Sequence, residues 1–188
     1  MRALPAWLDA ATGAITALNR RVFQATVWLM AVVVPVMLYE VVARYVFDAP
    51  TVWGMELAVL LFGPYFLLGG PHLLHLKGHV ALDLARQRLS ARWQRRLDLV
   101  NYPVIIVFCA ILLYFSVPAA FSAWSYRETS FSAWNPPIWP AKLAVPLALG
   151  LMLLQAVCEF VFTLYGRDPI EAQSGEPAAT KQTRERSA

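Results

Sequence analysis

Glu40 and Arg44 stand four residues apart in an otherwise apolar run, which puts them on one helical face and within reach of an intrahelical ion pair. Ionisable groups at membrane depth are costly and point to function by default, so the pair raises the question of an ion or proton relay. A single pair does not make a relay across a membrane. The plainer expectation is a satisfied pair near one interface, fixing its helix against Glu56 or against a partner subunit. Glu56, three residues after Trp53, lies where water or Arg44 could meet it, and as a general base it has no companion. Glu159, near the end of the last apolar run, could snorkel or pair with an arginine from the central loop.

His72, His75 and His79 cluster at the end of the second apolar run. A membrane haem needs axial histidines facing each other from different helices, and no other apolar run carries one. A metal site on His75 and His79 would have only Asp83 to add. Interfacial and structural roles are therefore expected, with no cofactor and no metal. Cys109 and Cys158 lie inside apolar runs and read as packing residues. The chain has no phosphate loop, nucleophile elbow, zinc-protease helix or deaminase signature, so no catalytic residue is assigned and no enzyme activity is expected.

The elements that position these residues follow from hydropathy. The chain has 188 residues, 59% hydrophobic and 15% charged, with 7 Trp, 7 Tyr and 10 Phe, and a mean hydropathy of +0.51. Crossing the hydrocarbon takes roughly 20 mostly apolar residues. Four runs qualify, at about 22–46, 53–74, 99–121 and 143–165. Asp48-Ala49-Pro50 makes a tight turn between the first two, the segment with Asn135-Pro136-Pro137 and Pro140 separates the last two, and Gly166 ends the fourth. The fold class is thus an all-α membrane protein of four transmembrane helices. Its parts are an N-terminal segment 1–21, a membrane domain 22–166 and a polar tail 167–188 expected to be disordered. The spans lack the internal repeat and paired broken helices of a self-sufficient transporter.

Basic residues orient the spans. Arg2, Arg20 and Arg21, then Lys77, Arg86, Arg88, Arg92, Arg95 and Arg96, then Arg167, Lys181, Arg184 and Arg186 all fall on one side of a four-span topology. The other side receives Arg127 and Lys142, with Arg44 near it. The positive-inside rule places both termini in the cytoplasm. Asn19-Arg20-Arg21 resembles a twin-arginine export signal, but the following run is long enough to span, carries Glu40 and Arg44, and has no small-residue cleavage site. Ahead of it, Leu4, Leu8, Ala11, Ile15, Leu18 and Val22 recur at helical spacing, compatible with an interfacial helix that Gly13 would weaken. A second interfacial amphipathic helix is expected between spans two and three, where Val80, Leu82, Leu84, Ala85 and Leu89 alternate with Asp83, Arg86 and Arg88. Ser90 would cap the next helix; Arg92, Arg95 and Arg96 would meet anionic headgroups, and Trp93 there and Trp139 opposite would anchor at the interfaces. Topology already requires these arginines, so no nucleic acid is expected.

The ordered set Arg44-Tyr45-Val46-Phe47, Pro50, Trp53, Glu56-Leu57-Ala58, Leu68-Gly69 and Gly78-His79-Val80 with Asp83 resembles the small (DctQ-like) permease subunit of tripartite ATP-independent periplasmic (TRAP) transporters. Glu128, Ser130, Pro137, Trp139, Pro146, Gln155 and Glu159 are similar more loosely, and the resemblance runs from about Ala17 to Gly166. Met55 stands where many members carry an acid next to Glu56.

The resemblance implies a bacterial inner-membrane protein that does not itself bind the transported solute. In that family a large permease subunit holds the substrate and sodium sites, and a periplasmic solute-binding protein delivers an organic anion. The small subunit packs on the static scaffold of the large one. Close packing by Gly63, Gly69 and Gly70 and the polar pair Glu40/Arg44 would suit such assembly in lipid. Two other readings stay open: a small haem or redox protein using the histidine cluster, and a stand-alone, homo-oligomeric, proton-coupled transporter using Glu40 or Glu56.

Overall fold

The computed structural model describes residues 6–76 and 91–165. Four helices account for nearly all of them: α1 (Ala6–Tyr45), α2 (Gly54–His75), α3 (Ala91–Ser125) and α4 (Trp139–Tyr165). Each holds a window long and apolar enough to cross a membrane. Among the described residues the sole β feature is one isolated antiparallel bridge, Thr129 to Pro137.

Two helices are longer than their apolar runs. The 40 residues of α1 span about 60 Å at 1.5 Å per residue, roughly twice the hydrocarbon thickness. From Ala6 onward, the stretch that the sequence left open as a separate interfacial helix is the start of this same helix. Gly13 does not break it, although a glycine in a helix interior costs about 1 kcal/mol. The opposing force is tertiary: Thr12, Thr16 and Asn19 are buried, and Asn19 bonds across to Gln155 on α4. The packed face is therefore the polar one, while Leu18 of the apolar stripe stays exposed. Threonine suits such a face because its hydroxyl can donate to its own helix, Thr12 to the Leu8 carbonyl at 2.9 Å and Thr16 to that of Thr12 at 3.0 Å. Likewise α3 starts at Ala91 and runs unbroken through the basic stretch into the third span.

The helices form a row more than a closed bundle. The extensive contacts are α1 with α2, α2 with α4 and α4 with α3, and α1 touches α4 over a smaller patch. Of the most apolar window in each helix, 44% is buried in α4 and 11% in α3, so α4 is the central element and α3 the outer one. Small residues let α4 approach its neighbours: Ala144, Ala148 and Ala156 are buried, with Leu151 and Phe162. Gly69 and Gly70 on α2 sit at helix contacts, their Cβ positions 3.7 Å from Phe23 and 3.8 Å from the Met152 sulfur. Gly63, expected to pack in the same way, meets nothing within 4 Å and faces outward.

Both loops at one end of the row are hydrogen-bonded turns. After α1, Asp48 takes a left-handed conformation at φ 51°, and the Ala49 N–H reaches the Ala43 carbonyl at 2.9 Å. This is the tight turn expected at Asp48-Ala49-Pro50. Between α3 and α4 the chain folds into a knob: Ser130 N–H bonds to the Pro136 carbonyl and Ile138 N–H to that of Glu128, both at 3.0 Å. The Asn135 side chain closes its tip by accepting from Phe131 N–H at 3.0 Å. The interfacial helix expected at 80–89, with Arg86 and Arg88, lies outside the described residues.

Volume at the centre of the row should be tightly limited. Replacing Ala156, which is fully buried, with Leu is expected to lower unfolding stability by about 1–3 kcal/mol through overpacking. Leu154→Ala on the exposed side of the same helix should change it by less than about 0.5 kcal/mol. Thermal unfolding of the two purified variants in one detergent checks the contrast.

Candidate functional site

The buried carboxylates and the buried histidine, Glu40, Glu159 and His75, fall into two junctions at opposite ends of the row. The first lies beside the α1–α2 turn. Glu40, 2% exposed, accepts from Arg44 one turn on, from the Thr51 hydroxyl and from the Thr51 N–H at 3.2 Å. Thr51 Oγ1 in turn accepts from the N–H of Gly54 at 3.2 Å, one of the N–H groups that the first turn of any helix leaves unpaired. The carboxylate thus ties the end of α1 to the start of α2. Gly54 is required by this closeness, since a Cβ there would sit 2.8 Å from Thr51 Oγ1 and 3.0 Å from Glu40 Oε2. Tyr39 and Trp53 stack beside it with ring centroids 6.0 Å apart.

The expected Glu40–Arg44 pair is therefore present, but its link across the hairpin is Thr51. Glu56 instead accepts from the Ser132 hydroxyl at 2.6 Å, which fastens α2 to the knob between α3 and α4. The knob is braced from the other side by Lys142, whose ammonium lies 2.7 Å from both carboxylate oxygens of Glu128. Trp139 packs edge-on against Trp124, centroids 5.0 Å apart, closing the α3–α4 hairpin.

The second junction, at the opposite end, joins three helices. Glu159 on α4 is fully buried, so neither snorkelling nor exposure describes it. Its Oε1 lies 2.7 Å from His75 Nδ1 of α2 and 2.9 Å from Gln155 Nε2, one turn earlier on α4. With a carboxylate as acceptor, Nδ1 is the nitrogen that donates. Gln155, also fully buried, accepts from Asn19 Nδ2 of α1 at 2.8 Å; its own amide approaches Thr16 Oγ1 at 3.4 Å. His72, one turn from His75, packs against Phe23 of α1 with ring centroids 4.8 Å apart and the planes tilted by 36°. Two of the three histidines thus serve helix packing, while His79 and Asp83 lie outside the described residues.

Sequence reasoning missed this junction's membership. In the sequence Asn19 stands out only as part of a twin-arginine-like string, and the structural role expected of His75 names no partner for it. The usable signal was the i,i+4 spacing of Gln155 and Glu159 in an apolar helix, which demands polar partners from a neighbour. Of the interfacial anchors, Trp93 is exposed and has the Arg96 guanidinium 5.2 Å above its ring; the side chains of Arg92 and Arg95 lie outside the described residues. Among the described residues, no group of three or more His, Cys, Asp or Glu is placed to hold a metal ion.

Between the junctions, α1 and α4 diverge over α2 and leave a groove of about 540 Å³. Leu29, Leu60, Leu68 and Leu147 line it, with Trp134 and Pro137 of the knob above. Its apolar walls offer no partner for a carboxylate, and an unpaired charge moved from water into such surroundings is strongly disfavoured.

Removing the middle member of the three-helix junction should be worse than removing a rim contact. Gln155→Leu leaves Asn19 and Glu159 each short of a partner and should cost about 1–3 kcal/mol. Lys142→Met, which breaks a partly exposed pair, should cost less than about 1 kcal/mol. Chemical or thermal unfolding in the same detergent ranks the two; the reverse order would contradict the assignment of Gln155 as the link.

A family model described as "Tripartite ATP-independent periplasmic transporters, DctQ component" matches residues 32–164. No curated protein matches the chain significantly. The matched region holds every hydrogen-bonding partner in the first junction and all of the second except its α1 side.

Proposed function

The chain belongs to the DctQ component family of tripartite ATP-independent periplasmic transporters, and from that premise we propose that it is the static small subunit of such a transporter. It is a multi-pass membrane protein and a transporter component. In the proposed arrangement its exposed apolar surface packs against the large permease subunit, which carries the moving, solute-binding parts. A periplasmic solute-binding protein delivers an organic anion, and uptake is coupled to an ion gradient, with sodium handled by the large subunit.

One observation carries this reading. Glu40, Glu56 and Glu159 are each bonded to another helix or loop of the same chain. A solute pathway needs polar groups free to exchange partners, whereas each of these carboxylates is engaged by another part of the same chain. The groove between the junctions is apolar, which suits contact with lipid or protein and not an anion.

The basic residues support an inner-membrane orientation with both termini in the cytoplasm. The three-helix junction would then lie at the cytoplasmic end, and the Glu40 junction and the knob at the periplasmic end. Arg86, Arg88, Arg92, Arg95 and Arg96 would meet the anionic inner leaflet. Gly63, whose face is open, would be available for close approach by a helix of the large subunit.

Purification from the native host in mild detergent should recover a second, larger polytopic protein with this chain. Recovery of the chain alone, with full transport activity in liposomes, would refute the reading. Glu40→Gln is expected to lower thermal stability by about 1–3 kcal/mol and to reduce the yield of complex, with the apparent affinity for solute unchanged. A change in solute affinity with normal stability and yield would place Glu40 in transport instead.

A further inference from the structure

The groove between α1, α2 and α4 is long and narrow. Leu57, Leu60, Leu61, Pro64 and Leu68 of α2 line it, a stripe at three- and four-residue steps that extends about 16 Å at 1.5 Å per residue. Spread over that length, the groove's volume of about 540 Å³ gives a mean section of roughly 33 Å², against roughly 80 Å² for a helix with its side chains. A helix therefore does not enter it, whereas an extended hydrocarbon chain does. The stripe lies within the second span, Gly54–His75, where the surrounding medium is lipid.

The mouth of the groove at the knob end carries a charge. Glu56 stands four residues before Leu60 and so continues the row of Leu60, Pro64 and Leu68 by one turn. The knob, which supplies Trp134 to the groove wall, reaches Glu56 through Ser132. Ser132 engages Oε2 at 2.6 Å, and Oε1 takes no hydrogen bond from the described residues. The cations at this end are placed elsewhere: Arg44 pairs with Glu40 and Lys142 with Glu128, and Arg127 follows α3, which does not neighbour α2 in the row. A mouth with one open carboxylate oxygen attracts an ammonium and repels a second anion.

We propose that the groove binds one phospholipid from the leaflet on the knob side. Its acyl chain lies along α2 from Leu57 to Leu68, and its headgroup carries a primary amine, as in phosphatidylethanolamine. The ammonium donates to Glu56 Oε1, and the chain fills the space where α1 and α4 diverge. The site requires only that the helices cross a membrane, so it is independent of the role proposed for the chain in transport.

Native mass spectrometry tests this on the full chain with any partner that copurifies. The protein is delipidated in mild detergent and then given dioleoyl phosphatidylethanolamine or dioleoyl phosphatidylglycerol. The expected result is one retained phosphatidylethanolamine, favoured over phosphatidylglycerol by about threefold, the size of an exposed charge contact. Glu56→Gln, whose amide oxygen still accepts from Ser132, should bring that ratio to about one with the lipid still bound. Leu147→Trp fills the groove and should remove both lipids, whereas Leu154→Trp, at an exposed position of α4 outside it, should remove neither. Equal retention of the two lipids by the unaltered protein, or retention by the Leu147→Trp variant, overturns the proposal. Should Leu147→Trp fail to fold, phosphatidylethanolamine with a photoreactive acyl chain is added to the unaltered protein. Adducts on residues 57–68 and 143–147 support the site. Adducts confined to α3, or cross-links from a photoreactive residue placed at Leu60 to another polypeptide, overturn it.

Discussion

In hydrocarbon a polar side chain has no water to bond with, so each one kept there must find its partner in protein. Glu159 feels this most strongly, as a fully buried carboxylate on the most buried helix. Its bonds to His75 and Gln155, and Gln155's bond to Asn19, fix which faces of α1, α2 and α4 meet. Apolar packing alone cannot fix this, because lipid tails solvate leucine as well as another helix does. The rotational setting of three helices therefore depends on one polar junction, and the small residues of α4 then pack where that setting brings them.

Glu40 does the equivalent at the other end, but locally. It joins a helix to the next one through a short turn, so its partners Arg44 and Thr51 are near in sequence. With both ends fastened, α1, α2 and α4 are joined at two levels, while α3 packs along α4 over an extensive contact that the knob and the Trp124–Trp139 contact close at one end. Such a body, apolar outside and fastened inside, is suited to being a fixed wall for something that moves.

The two junctions differ in how far the sequence disclosed them. Four spans were legible because hydropathy over about 20 residues is a strong signal, and the Glu40–Arg44 pair was legible because helical geometry alone brings i and i+4 together. Thr51 was hidden, since its place depends on the shape of the turn. His75 and Glu159, 84 residues apart, and Asn19 and Gln155, 136 apart, were hidden because their meeting depends on how separate helices are rotated, which no local pattern encodes. The apolar stripe of the first turns of α1 is legible as a face suited to the lipid interface, and Leu18 stays exposed. Hidden is that the polar side, with Thr16 and Asn19, turns inward onto α4.

The central claim, that the two junctions hold the helices as one rigid unit, is tested most directly by spin-label distances in the assembled, working transporter. Labels at Leu38 and Leu147, and in a second sample at Leu18 and Val157, all exposed positions of α1 and α4, report both ends of the row once Cys109 and Cys158 are replaced by Ala. The account predicts one narrow distance distribution for each pair, unchanged by solute or by an ion gradient. A second population whose weight follows either of them would show that the helices move during transport and would contradict it.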